Sequence, residues 1–282
     1  LSSVLDLTTL DLPDQTNVNI GANFAGLFLG GSKLMENSAV EFTGFYQNLS
    51  PFLALAKSNI KFYEAPQGFG LSGRYVAKTS TRGMFKTTFN QSYNSSGLEI
   101  PDPAVAGSNM RFGMKNQNTY VNTTFKNFIN DKWLYYTGFS LSNNDDDITW
   151  DTLISTRNDK RVQGRGELVY TPGNRFKLLI GTELQHFQYR QTFDTLTGQF
   201  SEMLSAGYVE ADIIPFRNFA IKPGVRAEYS KLLAKGNISP RLAMAIKTSK
   251  TSQISLASGY FYQLASQNYL MQGYRPNFQE AL

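Results

Sequence analysis

The chain contains no cysteine and a single histidine, His186. The first absence excludes a disulfide framework and a thiolate metal site. The second removes most metal-centre and catalytic-triad chemistry. No stretch approaches the roughly 20 apolar residues of a membrane helix, and helical periodicity is nearly absent. Charge is sparse: 17% of the 282 residues are charged, and the net charge of +5 is spread along the chain. No Lys/Arg run is long enough for a nucleic-acid patch. An initiating Met and a signal peptide are also absent, so the opening "LSSVLDLTTLDLP" reads as a mature or excised segment.

What is present is hydrophobic and aromatic: 41% apolar residues, with 21 Phe and 15 Tyr. That is not a disordered composition. The pattern is alternation with a period of two. In "VQGRGELVY", Val162, Leu168 and Tyr170 oppose Gln163, Arg165 and Glu167. In "FAIKPGVRAEYS", Phe219, Ile221, Val225, Ala227 and Tyr229 oppose Lys222, Arg226 and Glu228. The alternation predicts strands near 17–23, 25–33, 38–49, 70–78, 83–93, 119–129, 133–141, 162–171, 175–190, 203–214, 219–229, 238–247 and 253–265. Several are long enough for the 9–11 residues that a tilted strand needs to cross a bilayer. The mean hydropathy of -0.31 does not count against this, because a transmembrane strand shows only alternate apolar residues.

The connections sort themselves. "TSTR" (79–82), "NDK" (130–132), "PGN" (172–174), "FRN" (216–218) and "TSKTS" (248–252) are short. Between them lie the longer 50–69, 94–118, 142–161, 191–202, 230–237 and 266–282. In an antiparallel meander, strict alternation puts short turns at one rim and long loops at the other, as in transmembrane barrels. Aromatics near strand ends on the apolar face (Phe219 and Tyr229, Trp133 and Phe139, Tyr260 and Tyr262) form a candidate girdle. The predicted fold is therefore all-β: an antiparallel meander forming part of a transmembrane β-barrel. A soluble β-sandwich is the alternative. Thirteen strands is an odd count and the chain ends inside a predicted loop, so a partial barrel is expected. Rim parity further requires 17–33 to be a hairpin turning near Gly26.

"LSSVLDLTT" (1–9), "NDKWLYYTGFSLSNN" (130–144) and above all "IKPGVRAEYS" (221–230) followed by "ISPRLAMAIKTSKTSQISLASGYFYQ" (238–263) resemble the TonB-dependent outer-membrane receptors of Gram-negative bacteria. The resemblance implies a 22-stranded barrel around an internal plug. It implies uptake of a scarce, bulky nutrient (an iron chelate, corrinoid, glycan or peptide) energised by TonB. On that reading residues 1–16 are the end of the plug and the threshold of the barrel. Residues 17–282 are a partial barrel, truncated at its C-terminal end. The implied partners are outer-membrane lipid, the protein's own plug, TonB through that plug, and the nutrient. No enzyme activity, cofactor or nucleic-acid partner is expected. A plugless porin-like channel and a soluble glycan-binding or adhesin module are the alternatives.

Few residues carry possible chemistry. Asp145, Asp146 and Asp147 lie in the predicted loop 142–161; they offer oxygen ligands to a hard cation, or simply form a solvated acidic loop. Trp150 beside them either contacts a ligand or packs the loop. Lys222, Arg226, Glu228 and Arg241 are candidate lumen-wall residues, with Glu228 close enough to neutralise the arginines. His186 has no flanking nucleophile motif and is expected to be a lumen-facing polar residue. The glycine clusters "GLFLGG" and "GFGLSG" lack the following helix that a phosphate site needs. Pro223 interrupts an apolar face and cannot donate to a ladder. It is expected at a β-bulge or at a water-reached position near the periplasmic rim.

Overall fold

A computed structural model of the chain describes residues 11–56, 60–102 and 107–263. Thirteen strands follow one another: β1 (Asn17–Asn23), β2 (Gly26–Leu34), β3 (Ser38–Asn48), β4 (Lys61–Ser80), β5 (Gly83–Pro101), β6 (Asn109–Phe128), β7 (Trp133–Trp150), β8 (Leu153–Gly173), β9 (Phe176–Phe193), β10 (Leu196–Phe216), β11 (Phe219–Ser230), β12 (Lys235–Lys247) and β13 (Gln253–Gly259). One short helix, α1 (Ser50–Leu55), lies between β3 and β4. Every strand pairs antiparallel with its sequence neighbours, in the order β1 to β13. The β1–β2 hairpin turns at Phe24–Ala25, where the Asn23 carboxamide oxygen accepts the Ala25 N–H at 2.7 Å. It has the two short strands that rim parity requires.

All thirteen predicted strands exist among the described residues, but those from β4 to β8 and β10 are far longer than alternation indicated, and β9 slightly longer, at 18 to 21 residues each. The predicted long loops at 94–118, 142–161 and 191–202 are mostly paired strand. What remains are the connection 102–108 and the two-residue turns Asp151–Thr152 and Asp194–Thr195. The reason lies in solvation. Beyond the apolar band both faces of the wall carry polar side chains suited to water, so alternation fades while backbone pairing continues. The sorting of the two rims thus survives in strand length rather than loop length.

The register divides the sheet into two faces. Ile20, Val40, Leu71, Leu184, Val225 and Leu242 share one, and all are exposed. An aliphatic side chain left in water forfeits about 1.5–3 kcal/mol relative to burial, and a contiguous stripe of this extent marks an interaction surface. Aromatic pairs bound it. Near the lower rim Tyr75 meets Phe85, Phe125 meets Tyr135, and Trp133 lies 4.5 Å from Tyr170. Higher up, Phe69 stacks on Tyr93 at 5.8 Å. From Phe85 to Tyr93 is eight residues of β5, about 27 Å of strand. A typical barrel tilt of about 40° makes that about 21 Å of height, near the ~25 Å apolar band of an outer-membrane barrel. No helix is long and apolar enough to cross a membrane among the described residues.

Pro223 departs from expectation. Its pairing with β12 is unbroken, opposite Leu242. On the β10 side the ladder lapses between Gly224 and Ile221, without a change of register. The absent N–H is therefore absorbed by a short gap toward β10 and not by a bulge. The register shift in this pair falls instead at Ile213/Phe216, the stretch containing Pro215, beside the turn 217–218. Pro223 does lie near that rim, four residues from the turn.

Candidate ligand-facing wall

The polar face is built by the same alternation. On β8 it displays Arg157, Asp159, Arg161, Gln163, Arg165 and Glu167, every second residue of one strand. Each arginine is clasped by a carboxylate. Arg157 donates through Nε (2.7 Å) and Nη2 to Asp146 of β7. Arg161 donates to Asp159 at 3.0 and 2.8 Å. Arg165 donates to Glu167 at 3.0 and 2.5 Å, and Nε also reaches the Tyr208 hydroxyl at 3.0 Å. Tyr208 in turn donates to Glu167 at 2.7 Å. Its ring lies over Gly181, where a Cβ would fall 2.2 Å from the nearest ring atom. A glycine is needed there to let the ring lie flat.

The candidate residues separate on this frame. Asp145, Asp146 and Asp147 are not in a loop; they are consecutive strand residues and alternate between faces. Asp146 is on the polar face, buried, and also accepts from Asn116 and Asn144. Asp145 and Asp147 are on the other face, above the apolar band, where Asp145 accepts from Asn143 and Asn158. A period of two cannot converge three neighbouring carboxylates, and among the described residues no acidic or histidine cluster is placed to hold a metal. Trp150 ends β7 on the polar face. It meets Phe112 edge-on at 5.6 Å, and its Nε1 donates to Met110 Sδ at 3.0 Å.

Lys222 pairs with Glu210 at 2.7 Å and Asp212 at 3.5 Å. Arg226 pairs with Glu228 at 3.0 Å and Glu183 at 3.3 Å, so Glu228 does neutralise it. Arg241 lies opposite Gly224, diagonal to Arg226, with its guanidinium 4.8 Å from the Phe261 ring centre. His186 is corrected. It lies opposite Val162 and Met203, on the apolar side, beside Gln188 at 3.3 Å. The arginines of β8 were legible only as the polar half of a strand; their spacing "RNDKRVQGR" is the signal that marks them as a column.

At the other side of the wall, Asp11 reaches Lys86 of β5 at 2.7 Å. The hydrogen bond from Lys86, outweighing the smaller effect of burial, holds the Asp11 carboxyl below the usual carboxylate range. The segment leading into β1 therefore runs along the polar face.

No family model and no curated protein matches the chain. Solved structures do. The ferric enterobactin receptor PfeA (mutant G324V) of Pseudomonas aeruginosa aligns with a TM-score of 0.59 at 11% identity, over 88% of this chain and 44% of that one. The siderophore receptor PiuA of Acinetobacter baumannii gives 0.62 at 9% identity, over 86% and 48%. The alcaligin outer-membrane receptor FauA of Bordetella pertussis gives 0.62 at 11% identity, over 86% and 41%. The chain has the barrel fold of these outer-membrane receptors. It spans less than half the length of each. In this barrel fold the apolar face is the exterior and the polar face lines the interior.

Proposed function

We propose that the chain is the barrel-wall portion of a TonB-dependent outer-membrane receptor that takes up a scarce, bulky nutrient. Residues 1–16 lead from a plug, and the strands from Asn17 onward form the wall. The partners are then outer-membrane lipid, the protein's own plug, TonB through that plug, and the nutrient itself. Trp150, Lys222, Arg226, Glu228 and Arg241 face the lumen, where the nutrient or the plug would meet them. The observation that carries this reading is the pairing of an exposed apolar exterior with a charged inner wall that continues well above it. A simple diffusion channel has no need of so tall a wall.

The test uses the full-length protein in its Gram-negative host. Recovery in a carbonate-washed soluble fraction overturns every membrane reading. Recovery in the outer membrane, together with a growth defect on deletion that is reproduced by inactivating TonB, supports receptor-type uptake. Free solute flux that persists without TonB supports the porin-like alternative.

A further inference from the structure

From the geometry of β8 we infer an anion-binding column on the lumen wall: Arg157, Arg161 and Arg165 bind carboxylate or phosphate groups of the transported solute. The inference rests on the uptake reading and adds the chemical class of its cargo.

Three observations support it. First, the arginines are four residues apart on one strand face, so their backbone positions stand about 13 Å apart along the strand. The column runs from the raised wall, opposite Asp146, down to Gly138, inside the apolar band. Second, each pair is asymmetric. The arginine side chains are 40%, 56% and 48% exposed, whereas their carboxylate partners Asp146, Asp159 and Glu167 are 1%, 16% and 12% exposed. A solute in the lumen therefore meets guanidinium and not carboxylate. Third, the acids grip the same edge each time, through Nε and Nη2. Phe187 and Tyr208 back Arg161 and Arg165 at 5.9 and 5.8 Å. A guanidinium has five donors in a rigid fork. Held by one edge, Arg161 and Arg165 present the Nη1 edge ready oriented, so little rotamer freedom is lost when an oxyanion binds; Arg157 is engaged by the Tyr189 hydroxyl as well.

The buried acids also set the strength. They cancel much of the net charge, so each position binds weakly enough to release. A column of such positions suits passage, where a single strong site would trap the solute.

The test is binding of citrate and of inorganic pyrophosphate to the purified full-length protein in detergent, with raffinose as the neutral control, by calorimetry. Citrate reports carboxylate recognition and pyrophosphate reports phosphate recognition. The expected result is binding of at least one anion and not of raffinose, weakened at least tenfold in R161Q/R165Q and weakened also, though less, in R161K/R165K, which keeps the charge but not the fork. Thermal unfolding of each variant separates lost binding from lost fold. Equal anion affinity in wild type and a folded R161Q/R165Q overturns the column, as does absence of binding to both anions. Loss of stability in R161Q/R165Q with anion affinity unchanged assigns these residues to wall or plug packing and also overturns it. TonB-dependent growth is scored separately in the same strains. Normal uptake with R161Q/R165Q defeats the column alone, whereas TonB-independent behaviour of the wild type defeats the uptake reading.

Discussion

Asp146 on β7 accepts both Nε and Nη2 of Arg157 on β8, and it is 1% exposed while also accepting from Asn116 and Asn144. Four donors around one buried carboxylate make this the electrostatic knot of the raised wall. Removing one partner of a fully buried pair costs about 3–5 kcal/mol. Arg157 can still reach water, so D146A is expected to cost about 2 kcal/mol. A D146N/R157Q double-mutant cycle should show a coupling of about 1–2 kcal/mol. Denaturant unfolding of the full-length protein in detergent measures both. Strict additivity would mean that the two residues hold nothing jointly.

Gly181 is expected to be intolerant of a methyl group. A Cβ there would stand 2.2 and 2.4 Å from two Tyr208 ring carbons and 2.5 Å from its hydroxyl oxygen. G181A must lift the ring and break the 2.7 Å bond to Glu167. Y208F loses only hydrogen bonding, about 1 kcal/mol, whereas G181A should cost about 2 kcal/mol or more through the clash. Y208A should make G181A nearly silent. Melting temperatures of the three variants decide it: G181A as harmful on Y208A as on wild type would place the strain elsewhere.

The strand count and the apolar outer face were legible because that face is apolar along the band, and that writes a period of two into β1 to β13. The raised wall was not legible, because nothing apolar lies against it. Asp145 to Asp147 look like a loop when only composition is read. One local signal was available. "WDTL" (150–153) and "FDTL" (193–196) repeat, and each is a hairpin turn whose Asp has a positive φ, 55° at Asp151 and 52° at Asp194. Asp tolerates this region, and Asn and Gly tolerate it as well or better. His186 was misassigned because a lone polar residue does not reveal its phase; the pairs with Val162 and Met203 do.

The repeated turn gives its own test. D194G and D194N should leave stability within about 0.5 kcal/mol of wild type. D194V forces a β-branched residue into the left-handed region and should cost about 1–2 kcal/mol. Hydrogen exchange of the β9–β10 hairpin amides reads this locally. Equal protection in D194V and D194G would show that the turn does not hold this conformation in solution.

Leu71 and Ser72 are neighbours on β4 that face opposite environments. Leu71 points out beside Gly44 and Gln91, and Ser72 points into the lumen between Thr43 and Asn90. An arginine on the lipid face near mid-bilayer costs about 2–4 kcal/mol, whereas lumen positions accept charge readily. That cost falls toward zero near the interfaces, and Leu71 lies two residues inside the upper aromatic pair, so L71R should destabilise the reconstituted full-length protein by about 1–2 kcal/mol, and S72R by less than about 1 kcal/mol. Stability alone would not separate lipid from a protein core, since a buried leucine also resists arginine. Tryptophan quenching separates them. In vesicles with brominated acyl chains, L71W should lose fluorescence while S72W should not. Quenching of neither would mean that protein covers the apolar face. Quenching of both would mean that β4 does not divide lipid from lumen at this height. Only the expected difference fits a single sheet layer standing between the two.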